Sequence, residues 1–123
     1  MNSKRHATLV QFLKHRADEH LRSVFRYTAD DYDVLYLRSD LRTEQLKQVL
    51  PTLHARILES QGLVAEHDYP RLGAVQATTE IHEHGILLHF VETETQGTVV
   101  TLGREVGQDL AGFVEECNRI LMG

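Results

Sequence analysis

The periodicity of apolar positions is clearest in the second half of the chain, from Leu72 to Met122. Ala74–Ile81 alternates, with Val75, Ala77, Thr79 and Ile81 set against more polar neighbours, as a half-buried strand does. Ile86–Val91 is apolar nearly throughout, the pattern of a central strand covered on both faces. Gly97–Leu102 reads as a third strand. Val106, Leu110, Phe113, Cys117, Ile120 and Leu121 then follow at spacings of four, three, four, three and one, which places one continuous apolar stripe on a helix. A three-stranded antiparallel meander closed by a terminal helix is predicted.

The first half carries the same two periods. Leu9, Val10, Leu13, Ala17 and Leu21 form a helical stripe widened by Phe12, so a helix is expected from about Ala7 to His20. Arg22–Tyr27 and Tyr32–Leu37 flank the turn-rich Thr28–Asp31 and predict a hairpin. In its second strand Val34 and Tyr36 are expected on one face, Leu35 and Leu37 on the other. A sheet apolar on both faces needs helices on each side. The middle helix starts near Asp40 or Thr43, both suitable N-caps, and stops at Ser60-Gln61-Gly62. Leu46, Val49, Leu50, Leu53, Ile57 and Leu58 give it a wide apolar face, and Pro51 predicts a kink or break near Val49–Leu50. Leu63–Arg71 is the longest irregular stretch.

The resulting order, α-β-β-α-β-β-β-α, resembles the roadblock/dynein-light-chain fold of the wider profilin-like group. The resemblance lies in element order over nearly the whole chain, and so speaks to fold. It implies an α+β domain spanning 1–123, a five-stranded antiparallel sheet with helices on both faces. The first and last helices would share one face and the middle helix would cover the other. The phrases Leu21–Tyr27, Asp31–Arg38, Gly85–Phe90 and Phe113–Cys117 also resemble a family of small uncharacterised proteins of halophilic archaea, which implies no activity. The chain departs from such proteins in charge, with 18 Asp plus Glu against 13 Lys plus Arg.

Composition narrows the picture. The hydrophobic fraction of 41% and charged fraction of 25% are those of an ordinary globular domain. No apolar run approaches the ~20 residues that span a bilayer, and no signal-peptide core follows the basic first residues, so a cytoplasmic protein without a membrane partner is expected. The single cysteine, Cys117, lies on the apolar stripe of the last helix and is expected as a core thiol. A net charge of −5 argues against a broad phosphate-binding surface, although Lys4, Arg5, Lys14, His15, Arg16, Arg22 and Arg26 make the first quarter basic. Lys14, His15 and Arg16 spread over roughly 200° of a helix, so they describe a solvated face and nucleic acid is not an expected partner.

Candidate chemistry is sparse. His82 and His84 share a strand face at a metal-ligand spacing, and His89 on the returning strand could approach them. Glycine at 85 and the flanking charges favour a solvated turn instead, and neither a metal nor a cofactor is expected. His67-Asp68-Tyr69 lacks a matching nucleophile. Gly103–Gly107 has neither Gly-x-Gly-x-x-Gly nor Walker spacing, and Asp30, Asp31 and Asp33 lack the glycine and glutamate of an EF-hand. With no catalytic residue in view, the expected function is a non-enzymatic interaction or regulatory module. As the roadblock-like resemblance implies, it would be a homodimer, with another protein as a further possible partner. The alternatives are, first, a small-ligand sensor or enzyme with a pocket between sheet and helix, lined by Tyr27, Tyr36 and the histidines, and, behind it, a nucleic-acid-associated regulator using the basic first quarter. The expected interface combines the middle helix (Leu46, Val49, Leu50, Leu53) with an edge strand of small residues (Ala74, Gln76, Ala77, Thr78) that has no protecting lysine or proline.

Overall fold

The elements follow the order set out by the periodicity. The computed structural model describes residues 3–61, 71–73, 75, 77–107 and 110–123. Helix α1 (Ser3–Ala17) leads through a 3-10 turn (Asp18–His20) into β1 (Leu21–Tyr27) and β2 (Tyr32–Leu37). Helix α2 (Glu44–Gln61) comes next, then β3 (Thr78–His82), β4 (Gly85–Val91), β5 (Gly97–Leu102) and α3 (Leu110–Met122). The strands form one antiparallel sheet in the order β2-β1-β5-β4-β3, which leaves β2 and β3 as its edges.

Helices α1 and α3 share one face. Leu9, Leu13, Phe113, Cys117 and Leu121 pack there on Val24, Leu88, Phe90, Val100 and Leu102 in one buried cluster. Phe12 and Phe113 meet with ring centroids 6.1 Å apart, and Arg16 lies over the Phe113 ring. Helix α2 covers the other face, where Ile57 is buried over Tyr27 and Val99.

Local differences from the sequence reading have physical causes. Helix α1 begins at Ser3 rather than Ala7, because tertiary contacts hold its first turns: Arg5 donates to the Leu121 carbonyl, and buried His6 meets Glu92 at 3.2 Å. It ends at Ala17, because Asp18 takes φ +50°, a left-handed conformation that aspartate tolerates. Thr43 caps α2, its Oγ1 accepting from the Leu46 N–H at 3.1 Å. Pro51 does not break α2. Pro51 and Lys47 are both exposed, so water can take the carbonyl that proline leaves without a donor. The stripe of the last helix is not continuous, since Val106 sits in a separate 3-10 turn (Arg104–Gly107) before α3.

The hairpin shows the largest departure. Val24 pairs with Tyr36 but Phe25 pairs with Val34, so Leu35 is an extra residue in a bulge. Val34 and Tyr36 therefore lie on opposite faces, with Leu35 and Tyr36 both packed against the α1/α3 core. Strand β3 starts at Thr78 rather than at Ala74; Val75 and Ala77 are not in strand, and Ala74 and Gln76 lie outside the described residues. Gly62, the expected helix stop, and residues 63–70, including His67-Asp68-Tyr69, lie outside them too.

Candidate functional site

Helix α2 covers its face unevenly. Its C-terminal half presses Ile57 onto Tyr27 and Val99. Its N-terminal half stands away from the sheet and leaves a cleft of about 730 Å³. Leu46, Val49 and Leu53 form the helix wall, Phe25, Leu87 and Thr101 the floor, and the β3–β4 turn (His82, Glu83, His84, Gly85) one end. A mainly apolar concavity with a few polar groups is the usual form of a small-molecule site. In its floor the Ser23 and Thr101 hydroxyls bond each other at 2.5 Å.

An ion-pair bridge ties α2 to the sheet edge beside this cleft. Arg56 donates to Glu80 Oε2 at 2.6 Å, and His82 Nε2 lies 2.8 Å from Glu80 Oε1. The hydrogen bond from Arg56, aided by His82, holds the Glu80 carboxyl below the usual range.

Under the C-terminal half of α2 lies a phenol–imidazole cluster. Tyr27 Oη and His89 Nε2 share a hydrogen bond of 2.7 Å, both side chains being buried. Burial raises the Tyr27 phenol well above its ordinary range, and the charge of Glu92 adds to this. Burial likewise lowers the His89 imidazole. Both directions keep the pair neutral. His54 Nε2 donates to the Thr28 carbonyl at 2.8 Å, its ring 5.4 Å from that of Tyr32 and 6.4 Å from that of Tyr27. Gly97 makes room for the arrangement: a Cβ there would lie 2.5 Å from Tyr27 Oη and 2.6 Å from the Phe90 carbonyl oxygen.

The candidate histidines are thereby separated. His82 and His84 are exposed near the turn, whereas His89 pairs with Thr78 and is buried against Tyr27. Among the described residues no group of three or more His, Cys, Asp or Glu is placed to hold a metal. Tyr36 does not join Tyr27 in a pocket; it packs on the α1/α3 side, with Lys14 Nζ 5.2 Å from its ring. Cys117 is a core thiol, pushed up to about 12 by burial. Arg104 spends one N–H on the Glu83 carbonyl, and Asp31 belongs to the β1–β2 turn, where its N–H reaches Thr28 Oγ1.

Of the expected interface residues, Leu46, Leu50 and Leu53 are half-buried toward the sheet, and Val49 is 41% exposed. Ala77 packs partly on the main core, and Thr78 opens β3. Arg22 and His54 belong to this face but were not singled out for it from the sequence. His54 carried a signal, since it lies four residues after Leu50 and three before Ile57, on the inward stripe.

The profile of one family, a domain of unknown function (DUF7522), matches residues 7–122. The chain belongs to this family. None of the curated proteins matches it. Among solved structures, a Roadblock/LC7 domain from Streptomyces avermitilis superposes with a TM-score of 0.60 at 20% identity, covering 93% of this chain and 89% of that one. This DUF7522 member therefore has a roadblock-like fold. Among its described residues no helix is long and apolar enough to cross a membrane.

Proposed function

We propose that this chain is a non-enzymatic interaction module of the cytoplasm, acting as a homodimer joined through the outer edge of β3. The contrast between the two sheet edges carries the reading. Strand β2 has a bulge at Leu35 and an exposed aspartate, Asp33, both of which discourage edge-to-edge pairing. Strand β3 pairs with β4 in unbroken register and has no lysine or proline on its free edge. Apolar side chains lie exposed on and beside it: Ile81 at 68%, Val75 at 42% and Leu72 at 78%. The interface would centre on Ala77 and Thr78, with Ala74 and Gln76 continuing the edge. Of Leu46, Val49, Leu50 and Leu53 on α2, Val49 is the most open to a partner. Such a dimer buries something like 1,200–2,000 Å² in total. Because its two-fold joins the same strand from both subunits, the ten strands would form one sheet.

Light scattering on the full chain over a wide concentration range tests this. The expected mass is two chains, and Thr79→Lys, which places a charge on the exposed strand, returns it to one. A mass of one chain up to about 100 μM, well above the dissociation constant of a standard-sized interface, would overturn the reading.

A further inference from the structure

We infer that the cleft under the N-terminal half of α2 binds an amphipathic anion of the fatty-acid class, its acyl chain between helix and sheet and its carboxylate on Arg22. The proposed dimer is built on the outer edge of β3, so this site is complete within one subunit.

The volume of about 730 Å³ falls within the ~300–1,000 Å³ of small-molecule sites. Leu46 and Leu53 of α2 oppose Phe25 and Leu87 across it, a surface for a flexible apolar chain. Arg22 stands at one end. Its side chain runs along Gly85, where a Cβ would lie 3.7 Å from Arg22 Cδ and 3.9 Å from Nε. That position is next to the turn carrying His82 and His84.

Among the described residues no hydrogen bond or ion pair engages the Arg22 guanidinium; its charge reaches Asp40 only at longer range, and each neighbouring acid is paired elsewhere. Asp40 is held by Arg38 at 2.6 Å, and Glu80 by Arg56 and His82. Glu83 is turned to solvent beside His84. A half-buried guanidinium without an acceptor, at the end of an apolar cleft, matches a ligand with an oxyanion at one end of an apolar body. A single guanidinium fits a planar carboxylate in two-point contact, whereas a phosphate dianion calls for more positive charge.

Calorimetry on the tag-free full chain tests the assignment with decanoate, decanol, acetate and decyl phosphate as probes. Decanoate is expected to bind once per chain, decanol at least tenfold more weakly, and acetate without measurable heat. Arg22→Gln should weaken decanoate tenfold or more and leave decanol unchanged. Leu46→Trp, which fills the cleft, should remove both, with circular dichroism showing that each variant is folded. Decanoate perturbation of the Gly85 and Leu87 amide resonances, with Leu13 and Phe113 unmoved, would place the ligand in the cleft. The proposal fails if decanoate gives no heat, as when a second copy fills the cleft. It also fails if decanoate and decanol bind alike to wild type and to Arg22→Gln, or if decyl phosphate binds tenfold tighter than decanoate.

Discussion

On one face of the sheet, α1 and α3 join β1, β4 and β5 in a cluster of fourteen buried residues among those described; on the other, α2 buries Ile57 over Tyr27 and Val99 and stands away from the rest. The helices differ in kind as well as in burial. Helix α3 sends Phe113, Cys117 and Leu121 into the core in a regular stripe. Helix α2 offers a similar number of apolar residues but leaves Leu46, Leu50 and Leu53 half-buried. Burial of apolar area is the main stabilising contribution, at ~25 cal/mol per Å². Stability therefore resides mostly on the α1/α3 face. The α2 face is held by fewer contacts and by polar links such as Arg56–Glu80 and His54–Thr28, and it is the face with surface to spare for a ligand or partner.

Substitutions matched across the two faces should expose this difference. Phe113→Ala removes a buried ring from the first core and is expected to cost about 3–5 kcal/mol. Leu53→Ala, on the half-buried wall of the cleft, should cost only about 1–2 kcal/mol, since the site is already open. Denaturant melts giving equal losses would remove the asymmetry. Tyr27→Phe comes next in size. It leaves His89 Nε2 without its hydroxyl partner in a buried position, at an expected cost of about 1–3 kcal/mol. A melt unchanged by it would mean that the phenol–imidazole bond does not anchor the α2 side.

The pH dependence sharpens the same contrast. His89 is held below the ordinary 6.5 by burial, so the unfolded chain takes up this proton first. Its contribution is fully present above about pH 6.5 and is lost as pH falls toward the lower folded value. His89→Gln should flatten that part of the stability profile. The lowered carboxyl of Glu80 acts in the same direction only below the ordinary 4.5, so melts kept above that value separate the two. A profile unchanged by His89→Gln would remove the buried imidazole from the account. The smallest effect is expected at Glu115, exposed on α3 and paired with Arg119 at 3.1 Å. Glu115→Ala should move the melt by no more than about 0.5 kcal/mol, so a larger loss would show that the outer side of α3 also carries stability.

Much of the fold was legible because each element buries one side, and burial writes its period into the sequence. The stripe through Phe113 and Cys117 and the apolar run Ile86–Val91 have this origin. What remained hidden depends on register and on long-range contacts. The bulge at Leu35 leaves no trace in composition, yet it reverses the faces of Val34 and Tyr36 and so takes Tyr36 out of any pocket with Tyr27. His89 looked close to His82 along the chain. The tight turn at Glu83-His84 instead carries it four residues up β4 and under α2. The cleft itself follows from how far α2 stands from the sheet. No local pattern encodes that spacing, which is why Arg22 read as one basic residue among several.

Native-state hydrogen exchange on the dilute chain tests the division of labour between the two faces most directly. Amides of α1, α3, β4 and β5 are expected to exchange only through global unfolding. Those of α2, above all its N-terminal half from Leu46 to Leu50, should exchange through a smaller opening of lower free energy, with the rest of the chain intact. Protection in α2 equal to that in α3 would contradict the account, because both helices would then belong to one cooperative core.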